Sequence, residues 1–260
     1  KIYYCSNARL LLVIQKSNSL PFSIMKFITL GCSWTYGVGL QYQEGDTVDQ
    51  YNSYRNNEEA ANTYSFRGLL SKKYGWTNVN LAEGGSSNQR QERKALEYFC
   101  KSENLKDTIV LWGITCTARG ERWQNDIQGY MNFMMRNKPY RQYAKDFYNK
   151  EAEVHRLTLS MLHWNIFFEN CGIQNYWFDT FNTHEYTQHI PRLLRGDLLS
   201  RLTNSSDKEY HFSEWRPDSS RINKAKRLGV VNPISLHPNK KGHQLISEIF
   251  VENFFSTGVF

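Results

Sequence analysis

Four short stretches of the chain carry residue types that could together perform nucleophilic catalysis. They are "GCS" at 31–33, "GGSSN" at 84–88, "GIT" at 113–115 and "SLHPNKKGH" at 235–243. A serine hydroxyl becomes a nucleophile when a histidine can take its proton, and backbone N–H groups beside glycines can bind the oxyanion that forms. Ser33 and His237 are the candidate pair. Each stretch alone also fits an ordinary turn or helix cap, so the interpretation depends on their combination.

The elements around these stretches predict how they come together. Short apolar runs separated by helical patterns are typical of a parallel sheet with helices on both faces. The predicted strands are 26–30, 77–82, 107–115 and 173–178, and the predicted helices are 63–75, 88–102, 151–172 and one that starts after Asn239. Because ligands bind at the carboxyl ends of the strands in such sheets, we expect the four stretches to meet there.

Three segments give no clear periodicity. Residues 41–63 are polar and are predicted to form loops or irregular surface. Residues 120–147 are aromatic and charged, and we expect them to cover one edge or to form a lid. Residues 181–230 are loop-rich and receive no assignment.

The composition favours a folded, water-soluble protein. The chain has 260 residues, of which 40% are hydrophobic and 22% are charged. The net charge of +7 is spread among acidic residues without a run of five basic ones, which indicates a solvated surface rather than a nucleic-acid partner. No apolar stretch reaches the ~18 residues that a membrane helix needs. The sequence therefore predicts a cytoplasmic protein without a membrane partner.

The cysteines and histidines argue against a disulfide framework and a metal site. The five cysteines are widely spaced and form no C-x-x-C pair, as expected for reduced thiols. The histidines show no ligand pattern such as H-E-x-x-H. We therefore expect no metal and no cofactor.

The first residues differ in character from the rest of the chain. The apolar run "LLLVI" is shorter than the core of a signal peptide, and Met25 stands directly before the first predicted strand. The sequence predicts that residues 1–24 are an extension outside the core and that residues 25–260 form a single domain.

The four stretches, in this order, resemble the sequence blocks of the SGNH (GDSL-like) hydrolase superfamily. "GCSWTYG" resembles its first block, "NLAEGGSSN" its second and "SLHPNKKGH" its fifth. The resemblance spans nearly the whole chain after Met25. It implies a three-layer α/β/α sandwich with a central parallel sheet, the flavodoxin-like SGNH hydrolase fold, and an esterase or deacetylase activity on carboxylic esters.

The resemblance also implies a role for each matching residue. Ser33 matches the nucleophile and His237 the general base. Gly85 matches the residue whose backbone N–H enters the oxyanion hole together with the N–H of Ser33. His237 would take the proton from Ser33, the serine would attack the ester carbonyl, and water would then release the acyl group.

Three positions depart from the family's blocks, the first of them Cys32 in place of the aspartate of Gly-Asp-Ser. The third block, Gly-x-Asn-Asp, reads "GITC" here, so Thr115 stands in place of the oxyanion-hole asparagine. Its hydroxyl could donate one hydrogen bond to the oxyanion, and Asn88 is a candidate to supply the missing amide. The carboxylate that normally precedes the histidine is absent. Ser235 and Asp179 are therefore the candidates to orient His237. The candidate residues for the substrate rim are Arg119, Trp34 and Tyr36.

Two functions remain open at this stage. The first is an esterase that cleaves a small acyl ester, which could be an O-acyl group on a carbohydrate. The aromatic-rich segments around Trp123, Tyr130 and Tyr140 could stack on sugar rings, although core packing explains them equally well. The second is a non-catalytic carbohydrate- or structure-binding protein that retains the fold. The oligomeric state is left open.

Overall fold

Four parallel strands form the central sheet. The computed structural model describes residues 24–134, 140–181, 186–204 and 220–256. The strands are β1 (Lys26–Leu30), β2 (Thr77–Asn80), β3 (Thr108–Ile114) and β6 (Gln174–Asp179), arranged in the order β2-β1-β3-β6. Every neighbouring pair is parallel, with Leu30 opposite Trp112 and Ile114 opposite Asp179. The carboxyl ends of β1, β3 and β6 therefore lie side by side at one edge.

The sheet is covered on both faces because its side chains alternate between two cores. Phe27, Leu111 and Phe178 belong to one buried cluster, whereas Ile28 and Trp112 belong to the other. Successive side chains of a strand point to opposite faces, so a strand covered on both faces is predominantly apolar. The predicted α/β architecture, with a central parallel sheet between two helical layers, is confirmed.

The remaining elements flank this sheet. The helices are α1 (Ser33–Tyr36), α2 (Val48–Tyr54), α3 (Glu58–Tyr64), α4 (Phe66–Tyr74), α5 (Asn88–Phe99), α6 (Arg141–Phe147), α7 (Lys150–Asn170), α8 (Leu198–Thr203), α9 (Ser220–Arg227) and α10 (Lys240–Phe250). Buried residues of α4, α8, α9 and α10 join the cluster of Phe27, and those of α5 and α7 join the cluster of Ile28. A 3₁₀ turn covers Tyr186–His189, and a π-helical turn at Val251–Phe255 continues α10.

All three segments without clear periodicity contain regular structure, and the unassigned segment 181–230 holds α8 and α9. Within 41–63, predicted as loop, Thr47 caps α2 and Asn57 caps α3 through their side chains. These helices were missed because they bury few apolar residues, so capping rather than hydrophobic periodicity defines them. Within 120–147, an antiparallel hairpin of β4 (Arg119–Gln124) and β5 (Gly129–Met134) precedes α6.

The predicted N-terminal extension lies almost entirely outside the described residues. Only Ile24 of that segment is described, and its side chain is exposed. The domain boundary at Met25 therefore stays a prediction. Among the described residues, none of the helices has the length and apolar character needed to cross a membrane.

Candidate active site

Ser33 is positioned by a close contact between the ends of β1 and β3. Gly31 follows β1, and Ser33 is the first residue of α1, where its side chain is largely buried at 8% exposure. The Thr35 side chain fills the space beside both glycines at the strand ends. A Cβ at Gly31 would lie 2.6 Å from Thr35 Cβ, and a Cβ at Gly113 would lie 2.9 Å from Thr35 Oγ1. Glycine at both strand ends thus lets α1 sit against the sheet edge.

His237 is held through its Nδ1 atom by Ser235. The distance between His237 Nδ1 and Ser235 Oγ is 2.8 Å. Ser235 Oγ in turn donates to Asn232 Oδ1 at 2.9 Å and bonds to the Tyr51 hydroxyl. Of the two predicted orienting groups, the structure therefore brings Ser235 to the imidazole. Asp179 is buried at the end of β6 and is not the partner of Nδ1.

The loops that carry Ser33 and His237 touch each other at Gly39. A Cβ at Gly39 would lie 3.4 Å from His237 Cβ and 2.7 Å from Tyr51 Oη. Within the described part of the chain, the Ser33 hydroxyl makes no hydrogen bond, and none joins it to His237. The predicted pair is thus carried by contacting loops without a hydrogen bond between the two side chains.

The imidazole of His237 is strongly biased towards its neutral form. Burial lowers its pKa to about 4, and the positive charges of Arg119 and Arg55 act in the same direction. Ser235 is an uncharged partner and cannot stabilise an imidazolium as a carboxylate would. At neutral pH the ring is therefore an unprotonated base.

The predicted oxyanion-hole residues have different surroundings. Gly85 is exposed with φ of 74°, and its N–H makes no hydrogen bond to any described residue. Asn88 makes two hydrogen bonds to the backbone of Thr115, since its Oδ1 accepts from the Thr115 N–H at 3.0 Å and its Nδ2 donates to the Thr115 carbonyl at 3.0 Å. Asn88 thus fixes the end of β3, and its part in the oxyanion hole stays a prediction.

Arg119 lies inside the site rather than at its rim. Its side chain is buried, and Nη1 donates to Thr115 Oγ1 at 3.2 Å and to the carbonyl of Ser86 at 3.4 Å. The guanidinium therefore lies between the two segments that carry the predicted oxyanion-hole residues Thr115 and Gly85. Its charge also accounts for part of the low pKa of His237.

The other two predicted rim residues differ from each other. Trp34 was predicted at the rim, but its ring is only 1% exposed and packs edge to face on Phe181 in the core. That prediction was wrong because the first turn of α1 presents Trp34 to the core. Tyr36 is half-buried, and its hydroxyl donates to the carbonyl of Asn56 at 3.2 Å.

Two residues of the site were missed by the sequence analysis. Tyr51, on α2, and Asn232 both contact Ser235 and are almost fully buried. The signal that could have located α2 is the capping box formed by Thr47 and Gln50, a pattern typical of helix starts. No local pattern predicts that Tyr51 reaches Ser235, which lies 184 residues further along the chain.

The hairpin of β4 and β5 places exposed aromatic rings on the same face as Arg119. Trp123 and Tyr130 are opposite each other in register, are 50% and 48% exposed, and meet edge to face at 5.2 Å. Arg119 and Trp123 are four residues apart on one strand, so both side chains point to the same face. The Arg93 guanidinium lies 4.6 Å from the Tyr130 ring.

The described histidine, cysteine, aspartate and glutamate side chains form no group of three that could hold a metal ion. His243 is buried in the core, where its Nδ1 accepts from the Phe66 N–H at 3.3 Å. Its role is therefore structural.

Comparisons with known proteins find similarity among solved structures, where ten chains match. No protein-family model and no curated protein matches the chain. Among solved structures, the chain is similar to a carbohydrate esterase whose active site displays divergent catalytic and non-catalytic binding functions. The identity is 10% and the TM-score 0.47, over 92% of this chain and 71% of that one. A similarity of this size says nothing about the chemistry of the site.

Proposed function

We propose that the protein is a serine esterase of the SGNH type that cleaves a small acyl ester, with Ser33 as nucleophile and His237 as general base. The observation that carries this proposal is the fixation of His237 through Nδ1, on a loop that touches the loop of Ser33. A histidine held in this way has its Nε2 available for a neighbouring hydroxyl. The hydrogen bonds of catalytic groups are often long before substrate binds, so the missing Ser33–His237 bond does not exclude the pair.

The reaction would proceed by acyl transfer through Ser33. Nε2 of His237 accepts the proton of the Ser33 hydroxyl while Oγ forms a bond to the ester carbonyl carbon. The negative charge on the carbonyl oxygen is met by the N–H groups of Ser33 and Gly85, with Arg119 and the Thr115 hydroxyl nearby. The imidazolium then gives its proton to the departing alcohol, and water hydrolyses the acyl-serine with His237 again acting as base.

The exposed aromatic pair supports a carbohydrate as the alcohol part of the ester. Sugar rings present an apolar C–H face that packs on aromatic rings, and their hydroxyls bond to surrounding polar groups. Trp123 and Tyr130 offer two half-exposed rings beside Arg93, on the face of the hairpin that Arg119 shares. This exposure favours binding over core packing for these two residues. Tyr140, by contrast, packs on Phe133 in the interior.

A non-catalytic carbohydrate-binding protein with the same fold is the second candidate. It is favoured by the partner of His237 Nδ1, which among the described residues is the Ser235 hydroxyl and not a carboxylate, and by the replacement of the oxyanion-hole asparagine with Thr115. In the serine-protease template, disrupting the orienting acid costs roughly 10⁴ in rate. The same aromatic pair would serve this function without any need for Ser33.

The deciding experiment compares the wild-type protein with Ser33→Ala on short-chain p-nitrophenyl esters and on acetylated oligosaccharides. We expect hydrolysis that Ser33→Ala reduces to background. Thr117→Ala is a suitable control, because Thr117 is a similarly buried hydroxyl residue whose partner is Tyr148. Sugar binding without any Ser33-dependent hydrolysis would favour the second candidate.

A further inference from the structure

The hydrogen bonds around Ser235 leave only one assignment of protons. The starting point is Asn232, whose Oδ1 accepts from the backbone N–H of Ser235 at 2.7 Å. This contact fixes which end of the amide faces Ser235, because a backbone N–H can only donate. Ser235 Oγ lies 2.9 Å from the same Oδ1, so the single hydroxyl hydrogen of Ser235 points to Asn232.

Ser235 Oγ must therefore accept from its two other partners. A serine hydroxyl has one hydrogen to donate and two lone pairs to accept with. The Tyr51 hydroxyl is one neighbour of Oγ, and Nδ1 of His237 is the other, at 2.8 Å. Tyr51 consequently donates its O–H, and Nδ1 carries the imidazole proton. All three capacities of the Ser235 hydroxyl are used.

Burial makes this arrangement costly to break. Tyr51 is 1% exposed and Asn232 is fully buried, so water cannot readily replace a lost partner. The loop residue Gly39 leaves the room that the cluster needs, since a Cβ there would lie 2.7 Å from Tyr51 Oη. The backbone ties Asn232 to the histidine as well, because the Asn232 N–H donates to the His237 carbonyl at 2.9 Å.

We infer that Tyr51, Ser235 and Asn232 form a neutral positioning cluster that holds His237 in the Nδ1–H tautomer. The cluster takes the place of a carboxylate and leaves the Nε2 lone pair as the base. None of the three touches the reacting atoms, so they are positioning residues. The catalytic meaning of this inference rests on the proposed function, whereas the tautomer can be measured without it.

The cluster orients the imidazole without giving it a negative neighbour. A carboxylate would both fix the tautomer and stabilise the imidazolium that forms during acyl transfer. The Ser235 hydroxyl provides the first effect and little of the second, because it is uncharged. Ser235→Asp should therefore raise the pKa of His237, whereas Ser235→Ala should leave the orientation of the ring undefined.

The direct test is nitrogen NMR of the His237 ring in the full-length protein, assigned with a His237→Gln variant. We expect the wild type to carry its proton on Nδ1. We expect Tyr51→Phe and Ser235→Ala to shift the equilibrium towards Nε2–H. Tyr54→Phe is the matched control, since Tyr54 lies on the same helix but bonds to Asp46. A wild-type proton on Nε2 would overturn the inference, and so would an unchanged tautomer in both variants.

The second test is kinetic. It uses an ester whose hydrolysis by the wild-type protein depends on Ser33. Tyr51→Phe and Ser235→Ala should lower kcat by about 10- to 100-fold with little change in KM, as expected for a general base whose contribution is partly lost. If no ester is hydrolysed in a Ser33-dependent manner, the proposed function is refuted. The tautomer measurement then still tests the positioning cluster. If Ser235→Ala fails to fold, Tyr51→Phe and the wild-type tautomer decide the same question.

Discussion

The pH at which His237 becomes protonated tests the electrostatics of the site most directly. Burial and the charges of Arg119 and Arg55 lower its pKa from 6.5 to about 4. A hydrogen bond to the backbone of Ser235 acts in the opposite direction, but burial outweighs it. We expect His237 to stay neutral over the whole range in which an ordinary histidine titrates.

The difference from an ordinary histidine is large at mildly acidic pH. Between pH 7 and pH 5, the neutral fraction of an imidazole with a pKa of 6.5 falls by about 25-fold, whereas that of a group with a pKa near 4 falls by about 10%. If His237 is the base, kcat/KM should follow its neutral fraction, because this parameter reports the ionisation of the free enzyme. Activity at pH 5 should therefore remain close to its value at pH 7.

Two measurements check this expectation, one of them independent of activity. The first is an NMR titration of the His237 ring, and the second is the pH profile of kcat/KM on a short-chain ester. Arg119→Gln should raise the pKa of His237, because it removes a positive charge that faces the imidazole. Lys106→Gln is the control, since Lys106 is exposed just before β3, at the opposite edge of the sheet. A wild-type midpoint near 6.5 would refute the reasoning.

Two further predictions concern stability. Gly113→Ala should lower the free energy of unfolding by about 1–3 kcal/mol, since its Cβ would lie 2.7 Å from Phe178 Cε2. Gly129→Ala is the control, because its Cβ would meet only contacts of 3.6 Å or more and the stability should change little. Equal denaturation midpoints for the two variants would contradict this prediction. Burial lowers the pKa of His243 to about 3. Between pH 6.5 and 3, the unfolded chain therefore binds a proton at this residue that the native state does not bind. The free energy of unfolding should fall with decreasing pH by up to ~1.4 kcal/mol per pH unit because of this group. Urea denaturation across this range should give a shallower pH dependence in His243→Gln, and an identical dependence would disprove the assignment.

The central sheet could be predicted because its strands are buried on both sides. The predicted strands 26–30 and 107–115 correspond to Lys26–Leu30 and Thr108–Ile114. A strand covered on both faces must be apolar at nearly every position, and that pattern is visible without knowledge of its neighbours. The end of β2 was less well predicted, since this edge strand is only partly buried and ends at Asn80.

The peripheral elements could not be predicted in the same way. In α2, Tyr51 is the only buried residue, so no hydrophobic period marks the helix. The hairpin of β4 and β5 lacks a simple alternation because its buried positions include Arg119 and the charged Glu121, whose carboxylate pairs with Arg93 at 2.8 Å. Polar residues at buried positions conceal a strand from pattern analysis until their partners are known.

The site shows the same division between local and long-range information. Ser33 and His237 could be singled out because glycines and a following helix mark their loops within a few residues. The cluster that holds His237 could not, since it joins Tyr51 to Ser235 across most of the chain. Its effect can nevertheless be reasoned from chemistry alone: a neutral partner at Nδ1 and a positive charge at Arg119 both leave His237 unprotonated. If His237 is the base, as proposed, it has less driving force for proton transfer than a base with a pKa near 7, and esters with good leaving groups should turn over far faster than simple alkyl esters.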